Sequence, residues 1–315
     1  MNRKLQYFLK ITAMLFCMAL CSSCIKDNIS DCPAKVRIHF TFSTQTINPA
    51  YVDQMHLYVF RQDGFFVREY EDESITGFNT NYYMECTDLQ PGEYRFIAWG
   101  GKDKRFYSTL PVQFTKGQTT FEDALLMLEH PDNKVNTSVH HIFHSNLSVA
   151  VIQSDEVQHF YMPLSQLSNT INIHTVGLPA NTNVYTFYIT DNNCTYTFDG
   201  SFASHSHPSF TYSAPCTKDG ENQLHATLNV LRLSANRRTP QLQLYNQTNG
   251  TILYPVGSQS GDLIDLILKA NNHNNFETTH TYDIVLTFTG DESTGFDVDI
   301  AINGWKVQGQ DDDLY

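Results

Sequence analysis

Apolar and polar residues alternate with a period of two along most of this chain, a pattern that restricts it to half-buried strands. Val36, Ile38, Phe40 and Phe42 point one way, with Arg37, His39 and Thr41 between them. Residues 55–60 form a second strand, and Arg61-Gln62-Asp63-Gly64 supplies a tight turn into a third at 65–70. Pro91-Gly92 turns the chain into 93–99, which is apolar on both faces and so reads as a central strand stopped by Gly100-Gly101. Residues 112–114 and 124–129 complete a first sandwich-like set.

The second half repeats this style without repeating the sequence. Ile171 and Ile173, residues 184–189, Leu224 to Val230, and Leu242 with Leu244 alternate or nearly so, and Asn249-Gly250 is a hairpin turn leading to 252–254. One segment departs: Leu263, Leu266, Ile267 and Ala270 have helical spacing behind Asp262, a candidate N-cap, which predicts one short helix. Alternation returns at Tyr282 to Phe288 and at Phe296 to Ile302, ahead of Asn303-Gly304-Trp305. Tyr (17) and Phe (21) are abundant, which favours strands over helices. These signals predict an all-β chain of two antiparallel β-sandwich domains, 35–155 and 156–315, with one short helix in the second.

The first 24 residues obey a different rule. Arg3, Lys4 and Lys10 precede an apolar core at 11–20, the length of an export signal's core and too short to span a bilayer. Ser22-Ser23-Cys24 is the small-small-Cys pattern cut by lipoprotein signal peptidases, although Cys21 stands where a Leu is usual. Residues 1–23 are therefore expected to leave as a signal peptide. Cys24 then carries the acyl chains, palmitoyl-type lipid, and 24–34 forms a polar tether. The alternative is ordinary cleavage nearby to give a soluble secreted protein, which leaves Cys24 without a role.

Loss of the leader removes three of the 20 basic residues and none of the 33 acidic ones, so the mature chain has 17 against 33. A polyanion of this kind is a poor ligand for nucleic acid or anionic lipid, and membrane contact must come from the acyl chains. Cys17 and Cys21 leave with the signal, so Cys32, Cys86, Cys194 and Cys216 remain, an even set suited to an oxidising compartment, with three possible pairings. Cys32 with Cys86 and Cys194 with Cys216 keeps each bridge within one domain; four buried free thiols is the competing reading.

Sites for chemistry are sparse in the sequence. His140-His141 with His144, and His205 with His207, are the closest histidine clusters, but neither brings a nearby Cys or a helically spaced Glu, so solvated loop histidines and no metal are expected. No nucleophile elbow, phosphate loop or dinucleotide fingerprint occurs, which predicts no catalytic residues, no cofactor and no small-molecule substrate. Asp297 and Asp299 alternate with Phe296, Val298 and Ile300 and belong on a solvent face, and Asp311 to Asp313 read as a solvated tail rather than a calcium site. Tyr82, Tyr83, Tyr94 and Trp99 are candidates for a glycan-stacking platform.

Several pieces in order carry a resemblance. Asp31-Cys32-Pro33 follows the lipobox, and Leu57-Tyr58-Val59-Phe60 leads to Asp63-Gly64-Phe65-Phe66-Val67. Pro91-Gly92-Glu93-Tyr94, Ala98-Trp99-Gly100, Ile142-Phe143-His144, Asn169-Thr170-Ile171 and Ile302-Asn303-Gly304-Trp305-Lys306-Val307 come after. Together they resemble the FimB/Mfa2-type fimbrial anchor lipoproteins of Bacteroides and Porphyromonas relatives, with Ser145 where a Gly is expected. The resemblance implies transthyretin-like sandwiches and a non-enzymatic subunit in the outer membrane. That subunit would be joined to a shaft pilin by strand exchange and would limit the growth of the fimbrium. It also implies that stalk relatives lose their first strand by cleavage after a basic residue; here residues 43–54 contain no Lys or Arg. Lys26-Asp27 and Asp31 resemble charged surface-export signals. A surface glycan-binding lipoprotein and a tip or accessory subunit are the alternatives.

Overall fold

The computed structural model describes residues 33–307 except 45–46, 80, 179–181, 205–207, 219–222 and 292–294. The chain opens with β1 (Ala34–Phe42), β2 (Met55–Arg61), β3 (Phe66–Asp72), β4 (Tyr83–Leu89) and β5 (Gly92–Gly100). An excursion carries β6 (Tyr107–Leu110), β7 (Leu125–Leu128) and β8 (Lys134–Val135), before β9 (Phe143–Val151) and β10 (Gln158–Gln166). Next come β11 (Ser168–Val176), β12 (Tyr185–Asp191), β13 (Thr195–Thr197), β14 (Phe210–Pro215), β15 (Thr217–Lys218) and β16 (Leu224–Leu231). The chain closes with β17 (Gln241–Asn246), β18 (Thr251–Tyr254), α1 (Leu263–Ala270), β19 (Thr281–Asp291), β20 (Gly295–Ile302) and β21 (Trp305–Lys306). The fold is all-β with one short helix among the described residues, as the alternation predicts.

The first sheet has the order β3-β2-β5-β9-β10-β1-β4. β9 and β10 pair at only two positions, His144 with Ser165 and Phe143 with Gln166, so the sheet splits there into two layers, β3-β2-β5-β9 and β10-β1-β4. Between them lies a core of Val36, Ile38, Phe40, Leu57, Val59, Phe96, Phe143, Met162 and Leu164. The second half stacks β15-β16-β11-β19-β20-β21 against β18-β17-β12-β14-β8, with α1 packed beside β20. Asp262 caps α1 by accepting the Asp265 N–H at 2.9 Å, and Leu263, Ile264, Leu266 and Ile267 are buried, which explains why helical spacing appears only here.

Two expectations need correction. The sheets are not purely antiparallel: β1 with β10, β11 with β19 and β8 with β14 run parallel. Alternation fixes which face a residue takes, not the direction of its neighbour strand, so the sequence is silent on this. Residues 112–114 form no strand; Phe114 instead reaches from a loop into the aromatic cluster of Tyr58, Phe60, Phe66 and Phe198.

The division expected near residue 155 falls in the turn between β9 and β10, whereas the first sheet runs on to Gln166. The excursion also interlocks the halves. β7 pairs with β6 on one side and β13 on the other, and β8 pairs with β14. Trp99, Tyr58 and Phe60, on the outward face of β2 and β5, pack against Phe198, and Trp99 also meets Tyr196, in a core continuous with the second half. At the neck, Gly101 takes φ +70, and a Cβ there would lie 2.2 Å from the His141 carbonyl, so only glycine lets the outgoing and returning chains pass.

Candidate subunit interface

β1 is the first described element of the fold, and it lies inside a sheet rather than at its edge. From Val36 to Phe42 it pairs in parallel with Gln158 to Leu164 of β10, and from Ala34 to His39 it pairs antiparallel with β4. Ala34, Val36, Ile38 and Phe40 are fully buried, each of the larger three worth about 1.5–3 kcal/mol relative to exposure. The segment is therefore integral to the sheet. Its removal would strip β4 of its partner and open the core.

On the outward face of the same layer, Arg37 pairs with Glu85 at 2.7 Å and lies over the Tyr83 ring at 4.7 Å. His39 shares a 2.8 Å hydrogen bond with His159 and stacks on Tyr161 at 5.0 Å. Partial burial, the His159 ring and Arg37 all press His39 toward its neutral form. This cluster was missed in the sequence because its members come from three strands of which only β1 was legible.

A second polar cluster sits on the β2–β3 hairpin. His56 Nδ1 bonds Glu69 at 2.7 Å and lies 3.9 Å from Glu71, and the buried Lys102 ammonium donates to the Tyr58 hydroxyl at 2.9 Å. Burial alone would raise the Glu69 carboxyl, but hydrogen bonds from His56 and Tyr58 and the charge of Lys102 outweigh it and hold it below the usual range. Burial pulls the Lys102 ammonium downward, opposed by Glu69. Lys104 pairs with Glu73 and approaches Glu71 at 3.9 Å. His56, Glu69 and Glu71 have metal-ligand atom types close together, with the Lys102 and Lys104 ammonium groups beside the carboxylates. Counting back from the Asp63-Gly64 turn would have found this cluster, since His56 faces Glu71 and Tyr58 faces Glu69 across the hairpin.

The sequence candidates are scattered. His140 approaches Asp103 at 3.5 Å, His141 bonds Ser168 at 2.9 Å, and His144 bonds the Phe198 carbonyl at 3.0 Å, so the three rings do not converge. His141 and His144 are buried rather than solvated as expected, and burial lowers each to about 4. Of the aromatic candidates, Trp99 and Tyr94 are buried in cores and Tyr82 is half-buried; Tyr83 alone is exposed, which dissolves that platform. Asp297 and Asp299 face solvent on β20, with Lys306 3.2 Å from Asp299.

Cys86, Cys194 and Cys216 are free thiols, so the expected Cys194–Cys216 bridge is not formed. Cys194 sits beside β7, its carbonyl accepting the Leu128 N–H, whereas the Cys216 N–H bonds Tyr185 at the far end of β12. Burial pushes the thiols of Cys86 and Cys216 up to about 12. Cys24, Cys32, His205, His207 and Asp311 to Asp313 lie outside the described residues.

The sequence profile of the family described as fimbrillin-A associated anchor proteins Mfa1 and Mfa2 matches residues 29–311. The minor fimbrium anchoring subunit Mfa2 of Porphyromonas gingivalis is 25% identical over 316 residues, covering 94% of this chain and 92% of that one. The solved structure of the fimbrial anchor protein Mfa2 from Porphyromonas gingivalis superposes with a TM-score of 0.71 at 22% identity, covering 88% of this chain and 99% of the other.

Proposed function

Because this chain belongs to the family of fimbrillin-A associated anchor proteins Mfa1 and Mfa2, we propose that it is the base subunit of a fimbrium. In this reading it is held in the outer membrane by lipid on Cys24 and joined to the shaft by strand complementation. The observation that carries this reading is the double pairing of β1. In this reading a stalk subunit gives up its first strand, as the family resemblance implies, and its neighbour's strand fills the groove. Here the strand after the tether is locked between β10 and β4 and followed by a loop without Lys or Arg, so the base subunit keeps it and opens no groove at that place.

Residues 24–33 supply a short link from lipid to Ala34. Among the described residues no helix is long and apolar enough to cross a membrane. Immunogold labelling of intact cells tests the placement: signal at the cell end of each fibre supports a base, and signal at the free end makes the protein a tip subunit. Deletion is expected to release long fibres into the medium.

A further inference from the structure

An edge strand with unpaired backbone groups invites another strand, and folded proteins guard such edges with charge, proline, shortness or a covering loop. Among the described residues the long sheet edges are guarded with one exception. β3 carries Arg68, Glu69, Glu71 and Asp72, β4 carries Glu85 and Asp88, and β20 carries Asp297 and Asp299. β10 holds Pro163 within the stretch 158–164 that pairs with β1 alone. β18 has four residues. β16 is crossed by the segment whose Ser138 hydroxyl and Val139 carbonyl bind Asn229, and β15 covers its start.

β9 has none of these guards. Its sequence, FHSNLSVAV, contains no charge and no proline. It pairs with β5 along its whole length but with β10 only at Phe143 and His144, which leaves one edge of residues 145–151 open. The outward side chains Asn146, Ser148 and Ala150 are small and exposed, so a second backbone can approach closely. Leu147 and Val149 are half-buried, and Ile152 just beyond is 60% exposed, so a strand laid alongside would cover apolar surface now in contact with water.

We propose that the open edge of β9 is where this protein receives an extended, uncharged strand from a shaft subunit. The inference rests on the strand-complementation reading and assigns that reading a place. An edge without charge in a mature chain of 17 basic and 33 acidic residues admits such a strand without like-charge repulsion. A seven-residue segment of alternating apolar residues would extend the layer β3-β2-β5-β9 by one strand and cap the core beside Leu147 and Val149.

Photo-crosslinking in the native cell tests this. The full-length protein is expressed with benzoylphenylalanine in place of Ala150 on β9, or of Glu71 or Glu85 on the guarded edges, all exposed positions. Adducts are mapped by mass spectrometry. The expected result is an adduct from position 150 to an extended segment of a shaft subunit, with none from 71 or 85. Adducts from 71 or 85 but not 150 overturn the β9 assignment and leave strand complementation standing. An adduct from 150 to a second copy of this chain also overturns it. Fibres that co-isolate with no adduct at any position contradict strand complementation itself. In parallel, Ser148→Lys with Ala150→Lys adds the missing guard and is expected to cut co-isolated shaft protein at least tenfold with an unchanged melting temperature. Undiminished recovery overturns the proposal.

Discussion

Val36 of β1 lies directly opposite Cys86 of β4, and both side chains are fully buried in the first core. The thiol thus reports on the strand beside it. With β1 in place, Cys86, pushed up to about 12 by burial, is expected to resist iodoacetamide at neutral pH for as long as the fold persists. In denaturant without reductant, Cys86, Cys194 and Cys216 should all alkylate, as mass spectrometry would read. A protected Cys194–Cys216 pair would contradict the fold described here.

Phe40→Ala removes a fully buried ring from the centre of β1. Urea denaturation should show a loss of about 3–5 kcal/mol. His39→Ala, on the outward face of the same strand, should cost under about 1 kcal/mol. Equal effects would mean that β1 is not packed as an inner strand.

Acid should weaken the fold through His141 and His144. Both are held near 4 by burial against an ordinary value of 6.5, so the unfolded chain binds more protons than the folded one between those values. Stability is then highest above pH 6.5, falls as pH drops toward 4, and loses no more from these groups below that. Each contributes up to about 3 kcal/mol. The pH dependence of the urea midpoint checks this, and His144→Gln should flatten the curve between pH 6.5 and 4.

Two glycines with nearly the same φ separate crowding from backbone strain. Gly101 and Gly117 take φ +70 and +71, but a Cβ at Gly101 would strike the His141 carbonyl at 2.2 Å whereas Gly117 has open space. Gly117→Ala should cost about 1 kcal/mol and Gly101→Ala clearly more, read by thermal melting.

The exposed Lys104–Glu73 pair and the half-buried Glu69 should differ in the same way. Lys104→Ala is expected to change stability by under about 0.5 kcal/mol. Glu69→Ala removes the carboxylate that His56 and Tyr58 bond and whose charge supports the buried Lys102 ammonium, and should cost about 2–4 kcal/mol.

How far these features could be read from sequence depends on where their partners lie. β2 and β5 were legible as apolar runs closed by turns, and β19, β20 and the capped α1 because their periodicity is long and local. β4 was hidden because Glu85, Thr87 and Asp88 dilute its apolar face to Met84, Cys86 and Leu89. β9 and β10 carry the same alternation as β1, at Leu147, Val149 and Val151 and at Phe160, Met162 and Leu164, and were missed all the same. β6, β8 and β13 are two to four residues long and exist only through distant partners, so no local signal marks them. The even cysteine count suggested bridges, but a count carries no distance. Recognising β1 as a strand needed only its own residues. Its place between β10 and β4 needed the structure, because strand partners 120 residues apart leave no mark on period or composition.

The most direct test is the intact mass of the protein isolated from outer membranes. One species is expected, beginning at Cys24 with its acyl chains and retaining residues 34–42. A surface species that begins after residue 42, or one whose Cys24 carries no lipid, would contradict it.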